Sequence, residues 1–464
     1  VVDVDGKAPL DLFFPQRAYA VSQLFMGQPD GTFVDEAALR GVSTPGDVVA
    51  CLALDADGDG DEDLFLTGRG TLRLFDNDGG SFVDRSDALP PVDAMNLYGM
   101  SAAGDLDGDG DLDLVVAGYH PGSPFSEFIN AGGVPNLLLV RRGDGTYESR
   151  SDLAPVFDEA EPTQVVSVGD LNEDGKPDIY VGNDFGHRVQ NRVLAADESG
   201  VYQDRSSIWG LAYDASGHGI DSMGWSTADI DGDGKLDHVV SSFEGYSTSV
   251  FICNGTEFCF DQRVKYGTNG LVTTFRWGEA LGDFDLDGWV DLFEAAGHLD
   301  LFPSPEGFTG PQVPNLMKNI AGKRFEVVLP SAQDGRREPL HGRGIALVDL
   351  DDDGRLDVVL AAADGPGRVL RNVRPPGGHF LRVLLVGLAP NTGAVGARVY
   401  LRAAGRIWTR ERFLGEGFQG TFDGRLHFGL GAVTEVDLEV VWPNGEKTTL
   451  ESVAVDQEIR ITQE

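Results

Sequence analysis

The sequence predicts an all-β fold, a seven-bladed β-propeller followed by a small C-terminal β domain. Three observations carry this. One aspartate-rich loop pattern recurs along most of the chain. Each copy lies between short apolar runs of strand length. Beyond about residue 378 the alternating strands continue without the loop.

The copies read "DVDGKAPLD" from Asp3, "DADGDGDED" from Asp55, "DLDGDGDLD" from Asp105 and "DLNEDGKPD" from Asp170. Three more follow: "DIDGDGKLD" from Asp229, "DFDLDGWVD" from Asp283 and "DLDDDGRLD" from Asp349. A period of about 50–65 residues in a Gly-rich chain signals a propeller or solenoid. Each unit has the same grammar. An apolar strand such as "VVACLAL" enters the loop and "DLFLTG" leaves it. "TLRLFDN", a Gly-rich turn and "SFVDRSD" follow. Four short strands make one propeller blade, and seven blades are within the usual range. The longer spacings come from insertions at 119–136 and 298–315, whose Pro and Gly content marks surface loops. The first unit lacks most of its inner strand. The repeats end after "GRVLRNVRPPGGHF", which places the propeller at 1–378 and a separate β domain at 379–464.

The composition narrows the function classes. There are 75 Asp and Glu against 36 Lys and Arg, a formal net charge of -39 over 464 residues. Such a chain repels phosphate, which excludes nucleic acid as a partner. No apolar run is long enough for a transmembrane helix, and no basic-then-apolar leader opens the chain. It starts at Val1-Val2-Asp3 without Met, which reads as a mature or trimmed form. Cys253 and Cys259 flank the turn signal Asn254-Gly255. They either face each other as a disulfide, as an oxidising compartment would favour, or stand as two thiols in adjacent strands. Cys51 lies in an apolar strand and is expected to be buried. The Asn254-Gly255-Thr256 sequon sits in a tight hairpin and carries little weight.

The loop pattern is D-x-[DN]-x-D-G-x-x-D. Acids at alternate positions converge when the loop curls, Gly at the sixth position permits the reversal, and the last Asp approaches from the far side. Hard oxygen ligation at this spacing selects calcium. The predicted ligands are Asp55, Asp57, Asp59 and Asp63; Asp105, Asp107, Asp109 and Asp113; and Asp170, Asn172, Asp174 and Asp178. The later loops supply Asp229, Asp231, Asp233 and Asp237; Asp283, Asp285, Asp287 and Asp291; and Asp349, Asp351, Asp353 and Asp357. This predicts about six calcium ions. The Asp3 loop carries Lys7, whose ammonium stands where a cation would otherwise be needed.

These repeats resemble the FG-GAP/VCBS repeats of integrin-α-type propellers. The tail resembles the ASPIC/UnbV domain through "GARV" (396–399), "RLHFGLG" (425–431) and "VVWPNG" (440–445). Together they resemble the cartilage-acidic-protein family, as do "DIYVGNDFG" and "FRWGEALGDFDLDGWVDLFEAAGH". The tail's "FLGEGFQGTFDG" departs from the family pattern. The resemblance implies a secreted, calcium-binding protein and no settled activity.

Propeller geometry puts all the acidic loops on one face. The opposite face would collect His120, Asp184, His187, His218, Trp225, Arg276, Trp277, Glu279, His298, His341 and Arg343 as a possible ligand face. Three functional classes follow. The first is a secreted, cell-surface or periplasmic binding and adhesion module for a protein or glycan. The second is an enzyme of specialised metabolism with a pocket at the channel mouth. The third is a structural subunit of a larger extracellular or membrane-attached assembly. No nucleophile–base constellation is readable, so no catalytic residue is assigned.

Overall fold

A computed structural model describes residues 1–16, 20–44, 46–120, 132–243, 245–255, 258–270, 272–299, 310–331, 334–375 and 377–464. Most of both predicted insertions, 121–131 and 300–309, lies outside these residues.

Among the described residues, seven antiparallel sheets of three or four strands follow one another before residue 379, beside a two-stranded ribbon of Val134–Pro135 and Ala160–Glu161. The second is typical: Val48–Leu54, Asp63–Gly68, Thr71–Asn77 and Phe82–Asp84 pair in sequence order. The innermost strands of sheets two to seven are Val48–Leu54, Leu97–Gly104, Thr163–Gly169, Ser222–Ala228, Arg276–Gly282 and Gly342–Val348. They are rich in Gly, Ala and Ser because they crowd around one axis. At Gly224 a Cβ would stand 2.4 Å from the Trp277 carbonyl oxygen. The sheets stack face to face, so the first two strands of each are almost wholly buried. This explains their near-continuous apolar runs.

The ring closes through the first sheet. Leu12, Phe14 and Phe25 pack on Ala346, Val348 and Val359 of the seventh. Val2, Val4, Phe13 and Leu24 pack on Leu64, Leu66 and Phe75 of the second. The first sheet has three described strands, Leu12–Phe14, Gln23–Gly27 and Phe33–Asp35, and no innermost one.

From His379 onward the chain forms two sheets around a core of its own that includes Leu381, Val399, Phe428, Leu438 and Trp442. One sheet has three strands, with His379–Val386 running parallel to Gln457–Thr462. The other has four, Arg406–Glu411, Arg398–Ala403, Glu435–Val441 and Lys447–Ala454.

This β sandwich sits on the acidic-loop side of the propeller. Trp408 Nε1–H donates to the Gly288 carbonyl at 3.1 Å, and the Thr409 hydroxyl donates to Gly234 at 2.9 Å. His427 Nε2 meets the Gly354 carbonyl at 2.8 Å, and Arg406 stacks on Trp289.

The segment 413–423 then descends into the central channel. Leu414 bridges to both Ala103 and Val168, and Gly417 bridges to Trp225. The Phe418 ring lies 5.3 Å from Trp277. Thr421 lies between the inner strands of sheets two and seven. Its hydroxyl accepts the Ala53 N–H at 2.9 Å, its carbonyl accepts the Val1 ammonium at 3.1 Å, and the Asp423 N–H reaches the Leu347 carbonyl at 3.2 Å. The tail therefore lines the channel beside Val1, between the second and seventh sheets.

Cys253 and Cys259 are joined by a disulfide across paired strands. Cys51 is half-buried rather than fully buried. No helix among the described residues is long and apolar enough to cross a membrane.

Candidate metal centres and the opposite face

Each acidic loop is a tight turn joining the two innermost strands of its sheet. In the six loops from Asp55 onward the sixth residue is a glycine with positive φ, such as Gly60 at 101° and Gly110 at 95°. No other residue adopts that conformation without cost. The fourth residue is also left-handed. It is Gly58, Gly108 and Gly232 in three loops, and Glu173, Leu286 and Asp352 in the others.

The carboxylates organise the turn before any metal is considered. The first acid accepts the N–H of the sixth residue, at 2.9 Å for Asp55 and Gly60. The fifth accepts the N–H two residues on, as Asp59 does from Asp61 at 2.9 Å. The ninth is the staple. Asp63 accepts Ala56 N–H on one oxygen at 2.8 Å and Asn77 N–H on the other at 2.7 Å. Asp113, Asp237, Asp291 and Asp357 repeat this on their own loops and third strands.

Carboxylate oxygens of Asp55, Asp57 and Asp63 lie within 4.8 Å of one another. So do those of Asp105, Asp107 and Asp113; of Asp229, Asp231 and Asp237; and of Asp283, Asp285 and Asp291. Burial pushes Asp63 up to about 8, and Asp113, Asp229 and Asp283 to about 7. Buried acids of one sign, packed around one point, are a costly arrangement without a cation. The donors are all oxygen, which suits a hard divalent ion. These four clusters fit a metal.

The predicted opposite-face residues divide into three groups. Trp225, Arg276 and Glu279 are wholly buried and do not stand on an accessible surface. Trp225 is sandwiched between Tyr180 and His238. Arg276 donates to the Ser242 and Tyr246 carbonyls, and Glu279 accepts Ser241 N–H at 2.9 Å. The inner-strand crowding that makes the propeller also seals these groups in. They are structural, which corrects their placement on a ligand face.

Trp277 donates to the Gly297 carbonyl at 2.8 Å and stacks on Phe275. Arg343 lies over its ring at 4.2 Å, and His298 stands edge-on to Phe275. Phe418 closes this group from the channel side. His341 pairs with Asp364 at 2.6 Å.

The third group spans sheets three to five. Tyr119 O–H donates to Asp184 at 2.9 Å beside His120, and Gly186 N–H reaches Asp221 at 2.5 Å. Burial, then the Asp221 charge, pushes Asp184 up to about 7. Burial lowers His120. Phe185 is half-buried, with φ 57°, and His187 beside it is exposed. His218 is exposed on a separate turn held by Asp214. Sequence reasoning missed Tyr119, Phe185 and Asp221, although "GNDFGH" signals a tight turn at this point.

The ASPIC and UnbV family model matches residues 387–464, and the FG-GAP-like repeat model matches 55–116 and 170–240. Cartilage acidic protein 1 of Mus musculus is 25% identical over 446 residues, 89% of this chain and 64% of that protein. The Homo sapiens protein is 24% identical over 86% of this chain and 60% of its own length. This chain thus spans somewhat under two thirds of these relatives. An Agrocybe aegerita lectin that recognises non-reducing terminal N-acetylglucosamine superposes with a TM-score of 0.45 at 16% identity, over 78% of this chain and 94% of that one. The repeats, the tail and a similarity that runs along most of the chain support a cartilage-acidic-protein-like family.

Proposed function

We propose that this chain is an extracellular interaction module. In this reading calcium staples the propeller, and the face opposite the C-terminal domain meets a protein or glycan partner. The observation that carries it is the placement of residues 379–464. They cover the acidic-loop face and fill the channel, which leaves the far face to recognise something else. The surface we assign to recognition centres on Phe185 and His187, held up by Asp184, Tyr119 and His120. The division at 378/379 is proposed as the boundary between the recognition ring and its cap.

Calcium is assigned to the loops beginning at Asp55, Asp105, Asp170, Asp229 and Asp283, each with donors at the first, third, fifth and ninth positions. Buried carboxylates around a common point support this. The likeness to cartilage acidic protein 1 and the Cys253–Cys259 disulfide support an extracellular or periplasmic setting. An enzyme pocket at the channel mouth is less well supported, because Phe418 fills the space beside Trp277.

The test uses the full chain as bait against native extracellular material and a glycan array, beside a Phe185→Glu, His187→Glu variant. Capture of one partner by the unsubstituted chain, weakened at least about tenfold in the variant, supports the assignment. Equal capture by both would move recognition to another surface.

A further inference from the structure

The seventh acidic loop differs from the others in what surrounds it. Among the described residues, no Lys or Arg lies within 4.0 Å of the four expected ligands of the loops at Asp55, Asp105 and Asp229, although Arg141 pairs at 2.7 Å with Asp111, which is not one of them. The loop at Asp170 has one distant partner, Arg398 at 3.8 Å from Asp170. The loop at Asp283 has Lys318, which pairs with Asp285 and lies 2.8 Å from Asp287. In the loop at Asp349, all four expected ligands are paired. Arg382 lies 2.8 Å from Asp349, Arg371 pairs with Asp351 and lies 2.9 Å from Asp357, and Arg355 pairs with Asp353.

These arginines come from three places. Arg355 is the seventh residue of the loop itself. Arg371 follows the third strand, Arg368–Leu370, just before Asn372, whose N–H the ninth acid accepts. The same position is Asp76, Val140 and Ile252 in the sheets of the loops at Asp55, Asp105 and Asp229. Arg382 comes from the C-terminal domain, on the strand His379–Val386, and is buried. It also reaches Asp352 at 2.8 Å.

Asp352 is the left-handed fourth residue of this loop. In the loops at Asp55, Asp105 and Asp229 that position is glycine, with no side chain to offer a neighbour. Here it joins the two domains. Arg425 from the C-terminal domain approaches Asp352 at 3.3 Å and donates to the Asp349 carbonyl at 3.2 Å.

We propose that the loop 349–357 is a docking socket for the C-terminal domain in which Arg355, Arg371 and Arg382 stand where a calcium ion would be. Three guanidinium groups face four carboxylates, so a divalent ion would have to displace charges already in place. A buried carboxylate satisfied by charge-assisted hydrogen bonds gains little from exchanging them for a metal. The ring then carries fewer ions than it has acidic loops. The contact with the C-terminal domain at this loop does not depend on calcium.

This inference rests on the calcium reading of the other loops, and the experiment separates the two. The full chain is stripped with EDTA, reloaded with calcium, and its bound ions are counted by native mass spectrometry. Asp59→Asn should remove one ion, and Asp353→Asn should leave the count unchanged. An unchanged count in Asp59→Asn would overturn calcium binding at the second sheet. A count lowered by one in Asp353→Asn would overturn the socket. Crystals grown with terbium(III) give a readout that needs no substitution. Anomalous peaks are expected at the loops of Asp55, Asp105 and Asp229, and a peak at loop 349–357 would refute the proposal. Arg382→Met should speed hydrogen exchange of strand 379–386 without changing the calcium count, and unaltered exchange would count against a docking role.

Discussion

The Thr421 hydroxyl accepts the Ala53 N–H at 2.9 Å across 368 residues of sequence. That contact places the tail inside the ring, between the inner strands of the second and seventh sheets. The C-terminal segment supplies partners to inner strands around the axis of the ring. The cap and ring are then parts of one folding unit, and two predictions follow from it directly.

Removal of residues 379–464 should leave a ring that does not close. Inner-strand donors such as Ala53 N–H, Ala103 N–H and Trp225 N–H would lose their partners at the axis, and unpaired buried amides are costly. The truncated chain is expected to be insoluble or to lack a cooperative melt. A sharp melt with native circular dichroism would show that the ring closes unaided.

Phe418→Ala should destabilise the intact chain by about 3–5 kcal/mol. Phe418 is 2% exposed and packs on Trp277, far from its own domain core. Urea denaturation measures the loss. A change under about 1 kcal/mol would mean that the channel collapses around the missing ring at little cost.

Calcium removal should lower stability sharply. Stripped of cations, the acids of each cluster repel one another while burial disfavours their ionised forms. Thermal melts of the full chain with calcium and with EDTA are expected to separate clearly, and superimposable curves would argue against a stapling role. Asp63→Ala should cost about 2–4 kcal/mol even without metal, because Ala56 N–H and Asn77 N–H both lose their acceptor.

Asp184 should make stability depend on pH. Its folded value of about 7 lies above the ordinary aspartate value of about 3.9, so the folded state binds the extra proton between those limits. Stability then falls as pH rises from about 4 to 7, and the full penalty persists above that range. The cause is burial, followed by the Asp221 charge. Asp184→Asn removes the titration and should gain on the unsubstituted chain as pH rises from 5 to 8, by an amount on the order of a few kcal/mol. A constant difference across that range would mean that Asp184 is ionised throughout.

Much of the site was legible before any coordinates. The spacing of Asp55, Asp57, Asp59, Gly60 and Asp63 contains the turn, because each residue's role is local. The carboxylates meet backbone N–H groups two to seven residues away. The positions of Trp225, Arg276 and Glu279 were not legible. Polar and aromatic residues at the start of an inner strand look alike whether they line a pocket or fill the space between sheets. Only the distance to the next sheet separates those cases.

The sequence by itself therefore determined the repeat, the acidic turns and the two-part composition, all properties of short-range spacing and strand alternation. Tertiary structure alone decided that segment 413–423 fills the channel, that the cap sits on the acidic loops, and that Arg382 reaches Asp349. The physical reason is that these contacts join residues far apart in sequence through shape and charge. A strand such as Val48–Leu54 advertises its neighbours by periodicity, whereas "FLGEGFQGTFDG" has no period and takes its conformation from the walls of the channel it enters.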